Sequence, residues 1–159
     1  MIRPEVAWQR LADDLEPLSA ESVSRLAATG RVLAESLTAT VDIPAADVSA
    51  MDGFAVSGEL RAGQTLVVGG TIAAGNAPGA RLEEGTVLRI MTGAPVPENA
   101  DRVIPVEQTE RLDRAEVRVL SAVPVAAHIR RQGEVLSSGT PLLSASDPIT
   151  PGTIGLLAT

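Results

Sequence analysis

Apolar positions along the chain change their period twice. Over residues 5–15, Trp8, Leu11, Ala12 and Leu15 recur at i, i+3, i+4 and i+7, the spacing of one helical face, and Pro17 stops the pattern. Ser19 fits the N-cap of a second short helix, with Glu21 in its first turn, Val23, Leu26 and Ala27 on its apolar face and Gly30 at its C-terminal cap. From residue 31 to 41 the apolar residues Leu33, Leu37, Ala39 and Val41 fall on alternate positions, interrupted by Glu35. That alternation predicts an extended segment, against the helix propensity of Ala34 and Glu35.

Beyond Val56 the pattern is that of short strands. Residues 65–68 end in Gly69-Gly70, residues 86–91 end at Thr92-Gly93, and residues 103–106, 116–120 and 126–130 follow. Gly, Pro, Asn or Asp separates most of these runs, which predicts a small barrel or sandwich. A last apolar piece, residues 152–158, starts a helix with Thr150 as N-cap and Pro151 at its first position. Barely two turns are available to it, and a helix that short is marginal unless something packs on it.

Composition narrows the classes of function. The chain has 159 residues, 45% of them apolar, enough to bury a core and too apolar for a disordered segment. Its aromatics are Trp8 and Phe54, so Val, Leu, Ile and Ala fill that core. Net charge is −7 and every basic residue is Arg, which disfavours nucleic acid as a partner and excludes lysine Schiff-base chemistry. Without Cys there is no thiolate nucleophile or disulfide, and a lone His128 makes no multi-histidine metal site within one subunit. No apolar run reaches the ~18 residues of a membrane span, and the first residues lack the apolar core of a secretory signal, so the expected location is cytoplasmic.

Three stretches carry candidate chemistry. Residues 42–56 run from an X-Pro step at Pro44, which holds Ile43 extended, through small Ser49-Ala50-Met51 to Asp52-Gly53-Phe54. Asp52-Gly53 reads as a turn in which glycine permits a positive φ and a close backbone approach, with Asp52 either bonding its own backbone or presenting one charge rigidly. Residues 89–104 hold a strand running into Thr92-Gly93, whose hydroxyl and following amides either cradle an oxyanion or bond local backbone. The third stretch, His128-Ile129-Arg130-Arg131-Gln132-Gly133-Glu134, offers guanidinium forks for phosphate or carboxylate. Adjacent arginines in a strand face opposite sides, so at most one lines a given pocket, and both also suit surface pairing with Glu110 or Glu134. His128 reads as a packed or solvated strand residue, and Asp101 and Glu107 as loop and strand-end hydrogen-bonding residues.

The string Ser49-Ala50-Met51-Asp52-Gly53-Phe54-Ala55 resembles the signature of the molybdopterin molybdotransferase family, the MoeA proteins and the gephyrin E domain. Arg89-Ile90-Met91-Thr92-Gly93-Ala94-Pro95-Val96-Pro97 matches that family's second motif residue for residue, and Arg130-x-x-Gly133-Glu134 begins its third. Where the third continues with an acidic residue, this chain has Val135. The similarity runs over nearly the whole chain.

The resemblance implies an α+β, mainly β fold: a small β-barrel over residues 48–136, inserted in an extended helical and β dimerisation domain over residues 1–47 and 137–159. It implies the N-terminal part of an enzyme that inserts molybdate into adenylylated molybdopterin, acting as a Mg²⁺-dependent homodimer, with the α/β catalytic domain lying outside this chain. Asp52 and Thr92 are then the catalytic candidates, Asp52 also the metal candidate, and Ser49, Gly93, Arg130 and Arg131 the substrate- or anion-binding candidates. The alternative is a non-catalytic dimeric binding or scaffold module derived from the family, which Val135 also fits.

Overall fold

The computed structural model describes residues 2–16 and 18–158. In chain order the elements are α1 (Pro4–Asp13), β1 (Leu37–Thr38), β2 (Val48–Ser49), β3 (Gly53–Val56), β4 (Thr65–Ile72), β5 (Thr86–Ile90), β6 (Arg102–Pro105), β7 (Thr109–Arg111), β8 (Glu116–Val119), β9 (Ile129–Arg130), β10 (Pro141–Leu143) and α2 (Pro151–Leu156). The chain forms two compact units, one of Met1–Leu37 with Pro141–Thr159 and the other of Thr38–Thr140. No helix among the described residues is long and apolar enough to cross a membrane.

In the first unit α1 starts on Pro4, which suits a first helical turn because its missing N–H has no helical partner anyway. The Pro17 stop lies outside the described residues. No residue of α1 is buried, and its stripe stands in solvent, with Trp8 71% and Leu15 just beyond it 75% exposed. The second helix expected from Ser19 is replaced by a single 3-10 turn, Arg25–Ala27. In this segment the Glu21 carboxylate pairs with Arg31, and Arg31 Nε donates to the Ala27 carbonyl at 3.2 Å. Gly30, at φ +84°, then turns the chain so that residues 31–33 pair with residues 146–149. The predicted cap of α2 is present, with Thr150 Oγ1 accepting from the Thr153 amide at 3.2 Å.

The second unit is built on a six-stranded sheet in the order β6-β3-β5-β4-β8-β7, antiparallel except where β4 runs parallel to β5. One face gathers Phe54, Val56, Val87, Ile104, Val117 and Val119, so edge strand β6 meets β8 across the concave side and the sheet curls. The other face packs Ala55, Ile72, Ile90, Ala94 and Val103. Side chains alternate across a strand, so burial on both faces makes β3 buried at all four positions. The fold is therefore mixed α and β, mainly β.

Three expectations from the sequence change here. Strand β4 does not end at Gly69-Gly70 but continues to Ile72, with a bulge against β5 between Val68 and Gly70. Glycine suits that bulge, since a Cβ at Gly70 would lie 3.3 Å from the Leu88 side chain. The strand expected over 126–130 shortens to β9, because Ala126 and His128 take left-handed φ values of 65° and 59°. His128 is therefore a turn residue whose carbonyl accepts the Ala50 amide. Lastly, Gly53 does not carry a positive φ. It is needed for close approach, since a Cβ there would stand 2.1 Å from the Ile104 carbonyl oxygen.

Asp101 and Arg102 close the start of β6, as the hydrogen-bonding reading of Asp101 requires. Arg102 is buried, donating to the Val123 and Gly58 carbonyls at 3.0 and 2.9 Å, and Nε pairs with Asp101 Oδ1 at 2.6 Å. The Arg102 bond, and then the Gly58 amide, hold the Asp101 carboxyl below its ordinary pKa against partial desolvation.

Two outcomes follow. Gly53→Ala should destabilise the second unit by about 3 kcal/mol or prevent its folding, whereas Gly155→Ala, with open space around its Cβ, should be neutral or slightly stabilising by denaturant titration. Because the Asp101 pKa is lowered on folding, its contribution is present above the unfolded value of about 4 and disappears as pH falls through the folded value. Asp101→Asn should flatten that part of the stability–pH curve, and an unchanged curve would contradict the clasp.

Candidate functional site

The candidate residues meet where three chain segments cross. Asp52 ends the turn before β3, and Thr92 follows the last residues of β5. Because Gly53 and Ile90 are paired in the ladder, the Asp52 carboxylate reaches the residues just beyond that strand. Asp52 Oδ1 accepts both the Thr92 amide and the Thr92 hydroxyl, each at 2.7 Å. The Asp52 carbonyl accepts the Val106 amide at 3.1 Å, which ties the same turn to the end of β6. The carboxylate thus bonds across strands and not to its own backbone.

Those two donors lower the Asp52 pKa, the amide most and then the hydroxyl, and the Arg89 guanidinium adds a smaller pull. Oδ2 makes no hydrogen bond among the described residues. The group is exposed, so what results is a fixed, ionised carboxylate with one oxygen open to solvent.

Ser49 and Gly93 hold the opposite wall. Gly93, at φ +78°, turns the chain after Thr92, and its amide donates to the Ser49 carbonyl at 2.8 Å. The Ser49 amide donates in turn to the Ala94 carbonyl at 2.9 Å, and Val96 to the Asp47 carbonyl, so the loop after β5 is laced to β2. Ser49 is only 2% exposed, with its hydroxyl donating to the Met51 carbonyl at 2.6 Å. Its side chain therefore shapes the turn that carries Asp52, while its backbone positions Gly93.

Both arginines of the third stretch are in ion pairs. Arg130 lies opposite Val48 in the β2–β9 ladder and faces Glu134 at 3.7 Å. Arg131 lies beyond β9 and bonds Asp47 at 2.5 Å, while Asp47 also accepts the Gln132 amide at 2.8 Å. Glu110, the other partner considered, pairs with Arg118. Desolvation is the largest single influence on Asp47 and pushes its pKa up, but the Gln132 amide and the hydrogen bond and charge of Arg131 together outweigh it and leave the pKa lowered. Asp47 was invisible as a partner in the sequence, since 84 residues separate it from Arg131. Val135 is 66% exposed, beside a Glu134 whose carboxylate accepts the Arg131 amide.

Among the described residues no group of three or more His, Cys, Asp or Glu side chains is arranged to hold a metal ion. Asp52 alone supplies a free anionic oxygen at this place. That is compatible with Mg²⁺, which is commonly held by one or two carboxylates, with waters and substrate phosphates completing its shell.

Residues 2–159 match the family model described as the MoeA N-terminal region, domains I and II. The chain is 41% identical over 138 residues to molybdopterin molybdenumtransferase 2 of Mycobacterium tuberculosis, an alignment spanning 82% of this chain and 34% of that protein. It is 37% identical over 149 residues to the molybdopterin molybdenumtransferase of Synechococcus elongatus, covering 89% of this chain and 37% of the relative. The solved structure of the molybdopterin biosynthesis MoeA protein of Pyrococcus horikoshii superposes with a TM-score of 0.84 at 29% identity, over 97% of this chain and 42% of that one. The chain thus spans little more than a third of the length of the curated relatives it matches. Laced turns around Asp52 and Thr92, the curled sheet that carries them and these similarities together place the chain in the MoeA family, as its N-terminal region.

Proposed function

We propose that this chain works as the N-terminal part of a molybdopterin molybdotransferase, which inserts molybdate into adenylylated molybdopterin during molybdenum-cofactor biosynthesis. The observation that carries the reading is the Asp52–Thr92 pair, a carboxylate held ionised by two donors with its second oxygen open. The alternative of a non-catalytic scaffold gains no support from the relatives, which are named as transferases. The finer architecture belongs to the same proposal: a barrel over residues 48–136 within a dimerisation domain of residues 1–47 and 137–159. The solvent-facing stripe of Trp8, Leu11 and Leu15 supports homodimerisation, since such a stripe gains by being covered. We assign the protein to the cytoplasm, where this biosynthesis would take place.

In this reading molybdate, pyrophosphate and the carboxylate of Asp52 are all anionic. Asp52 therefore acts as a proton acceptor or as one ligand of Mg²⁺, which when bound would neutralise charge on the substrate phosphates. Thr92 fixes the orientation of Asp52 and keeps it ionised. Gly93, turned by its positive φ and anchored on Ser49, sets the course of the loop beside the pair. Arg130 and Arg131 offer forks for an anion once Glu134 or Asp47 is displaced. The catalytic partners outside this segment come from the remainder of the enzyme.

A chimera tests the proposal. Residues 2–158 replace the matching part of the Mycobacterium tuberculosis relative, and molybdate-dependent release of nucleotide from adenylylated molybdopterin is followed. The chimera should be active, and Asp52→Asn and Thr92→Val should each slow it, the former by about a hundredfold. Undiminished turnover in Asp52→Asn would remove Asp52 from the chemistry. A folded but inactive parent chimera would favour the scaffold, and Val135→Asp then asks whether the missing acid is the cause.

A further inference from the structure

All basic side chains of the chain are arginines, and their pairing is uneven. Seven of the 13 form ion pairs among the described residues: Arg31, Arg61, Arg81, Arg102, Arg118, Arg130 and Arg131. Of the six that do not, three converge on one groove: Arg89, Arg111 and Arg114. None of the three has an ion pair among the described residues, so an anion entering this concavity meets three guanidinia.

The groove has a volume of about 260 Å³ and opens at the concave face of the curled sheet. Ladder register explains its lining. Phe54 of β3 and Thr71 of β4 both lie directly opposite Arg89 of β5, and Arg111 of β7 lies opposite Val117 of β8. Directly paired residues share a face, so the buried Phe54 and Val117, with the half-buried Val68 and the exposed Val106, make an apolar floor beside Arg89, Arg111, Thr71 and Thr109. Arg114 comes from the turn between β7 and β8.

Two acids also lie there, Asp113 and Glu116. Asp113 is engaged by its own turn, with Oδ1 accepting the Ala115 and Glu116 amides at 2.6 and 2.8 Å. Arg111 is anchored by one edge only, Nε donating to the Asp113 carbonyl at 2.8 Å, which leaves its terminal nitrogens for a ligand. The lining carries one positive charge net, within a chain of net charge −7.

We propose that this groove binds a small aromatic phosphate monoester, its ring on the Phe54–Val117 floor and its phosphate in the forks of Arg111, Arg114 and Arg89. Guanidinium forks match phosphate oxygens two at a time, and the arrangement of apolar floor and convergent polar rim is that of small-ligand sites. The volume accommodates one ring and one phosphate. The groove lining contains neither Asp52 nor Thr92, although Arg89 acts on both places through its charge, and binding requires no turnover, so its failure and failure of the catalytic reading are separable.

Phenyl phosphate is the probe, titrated into the 159-residue chain at constant ionic strength and followed by amide chemical shifts. Saturable shifts centred on Arg89, Arg111 and Arg114 are expected, weakening as salt rises. Arg111→Gln with Arg114→Gln should weaken binding at least about tenfold, with shift dispersion reporting that the fold is retained. Inorganic phosphate should bind more weakly than phenyl phosphate, and phenol not at all. Absence of saturable shifts, equal affinity in the double variant, or equal affinity for inorganic phosphate would each overturn the proposal.

Discussion

A carboxylate that spans two strand ends organises the second unit. Asp52 stands immediately before β3 and Thr92 just after β5, and the two 2.7 Å bonds on Oδ1 hold these ends in register. The contact follows from the pairing of Gly53 with Ile90, while the missing side chain of Gly53 separately lets β3 lie close against the Ile104 carbonyl of β6. A side chain at position 53 would push β3 off β6, and removing the Thr92 hydroxyl would leave Asp52 held by the Thr92 amide alone. One short segment thus carries both a core strand and the fixed carboxylate at its start.

What surrounds this contact is rigid for ordinary reasons. Phe54, Ala55 and Val56 bury alternate faces of the sheet, so β3 is anchored on both sides while Asp52 stays exposed at its start. Loop 93–96 gains its position from backbone bonds to Ser49 and Asp47. Most ion pairs are solvent-exposed and contribute little individually; the partly buried Asp101–Arg102 pair is the structural exception. A rigid sheet presenting polar groups on loops at strand ends is how many binding sites are arranged.

Sequence patterns made the strongest elements legible. β5, β6 and β8 are short β-branched runs bounded by turn residues, and α2 announced itself through Thr150 and Pro151. β3 was hidden, because Met51-Asp52-Gly53 reads locally as a turn and only the nonlocal partners Ile90 and Ile104 turn it into a central strand. The second helix shrinks to one 3-10 turn, a short segment whose local helix signals had no buried apolar face to support them. Left-handed residues at Ala126 and His128 gave little warning: alanine seldom takes that conformation, and histidine, though enriched there, does so in a small minority of cases. Asp52 and Thr92 were identifiable as candidates, but their direct bond across 40 residues was not, and neither was the convergence of three arginines on one face.

The central claim is that Thr92 holds Asp52 as a fixed, ionised carboxylate. Measuring the Asp52 carboxyl titration by carbon-detected NMR, in the chain and in Thr92→Val, addresses it directly. The account predicts a midpoint below the ordinary aspartate value of about 3.9 that moves back toward it when the hydroxyl is removed, the amide bond retaining part of the shift. A midpoint at or above the ordinary value, or one indifferent to Thr92, would contradict it.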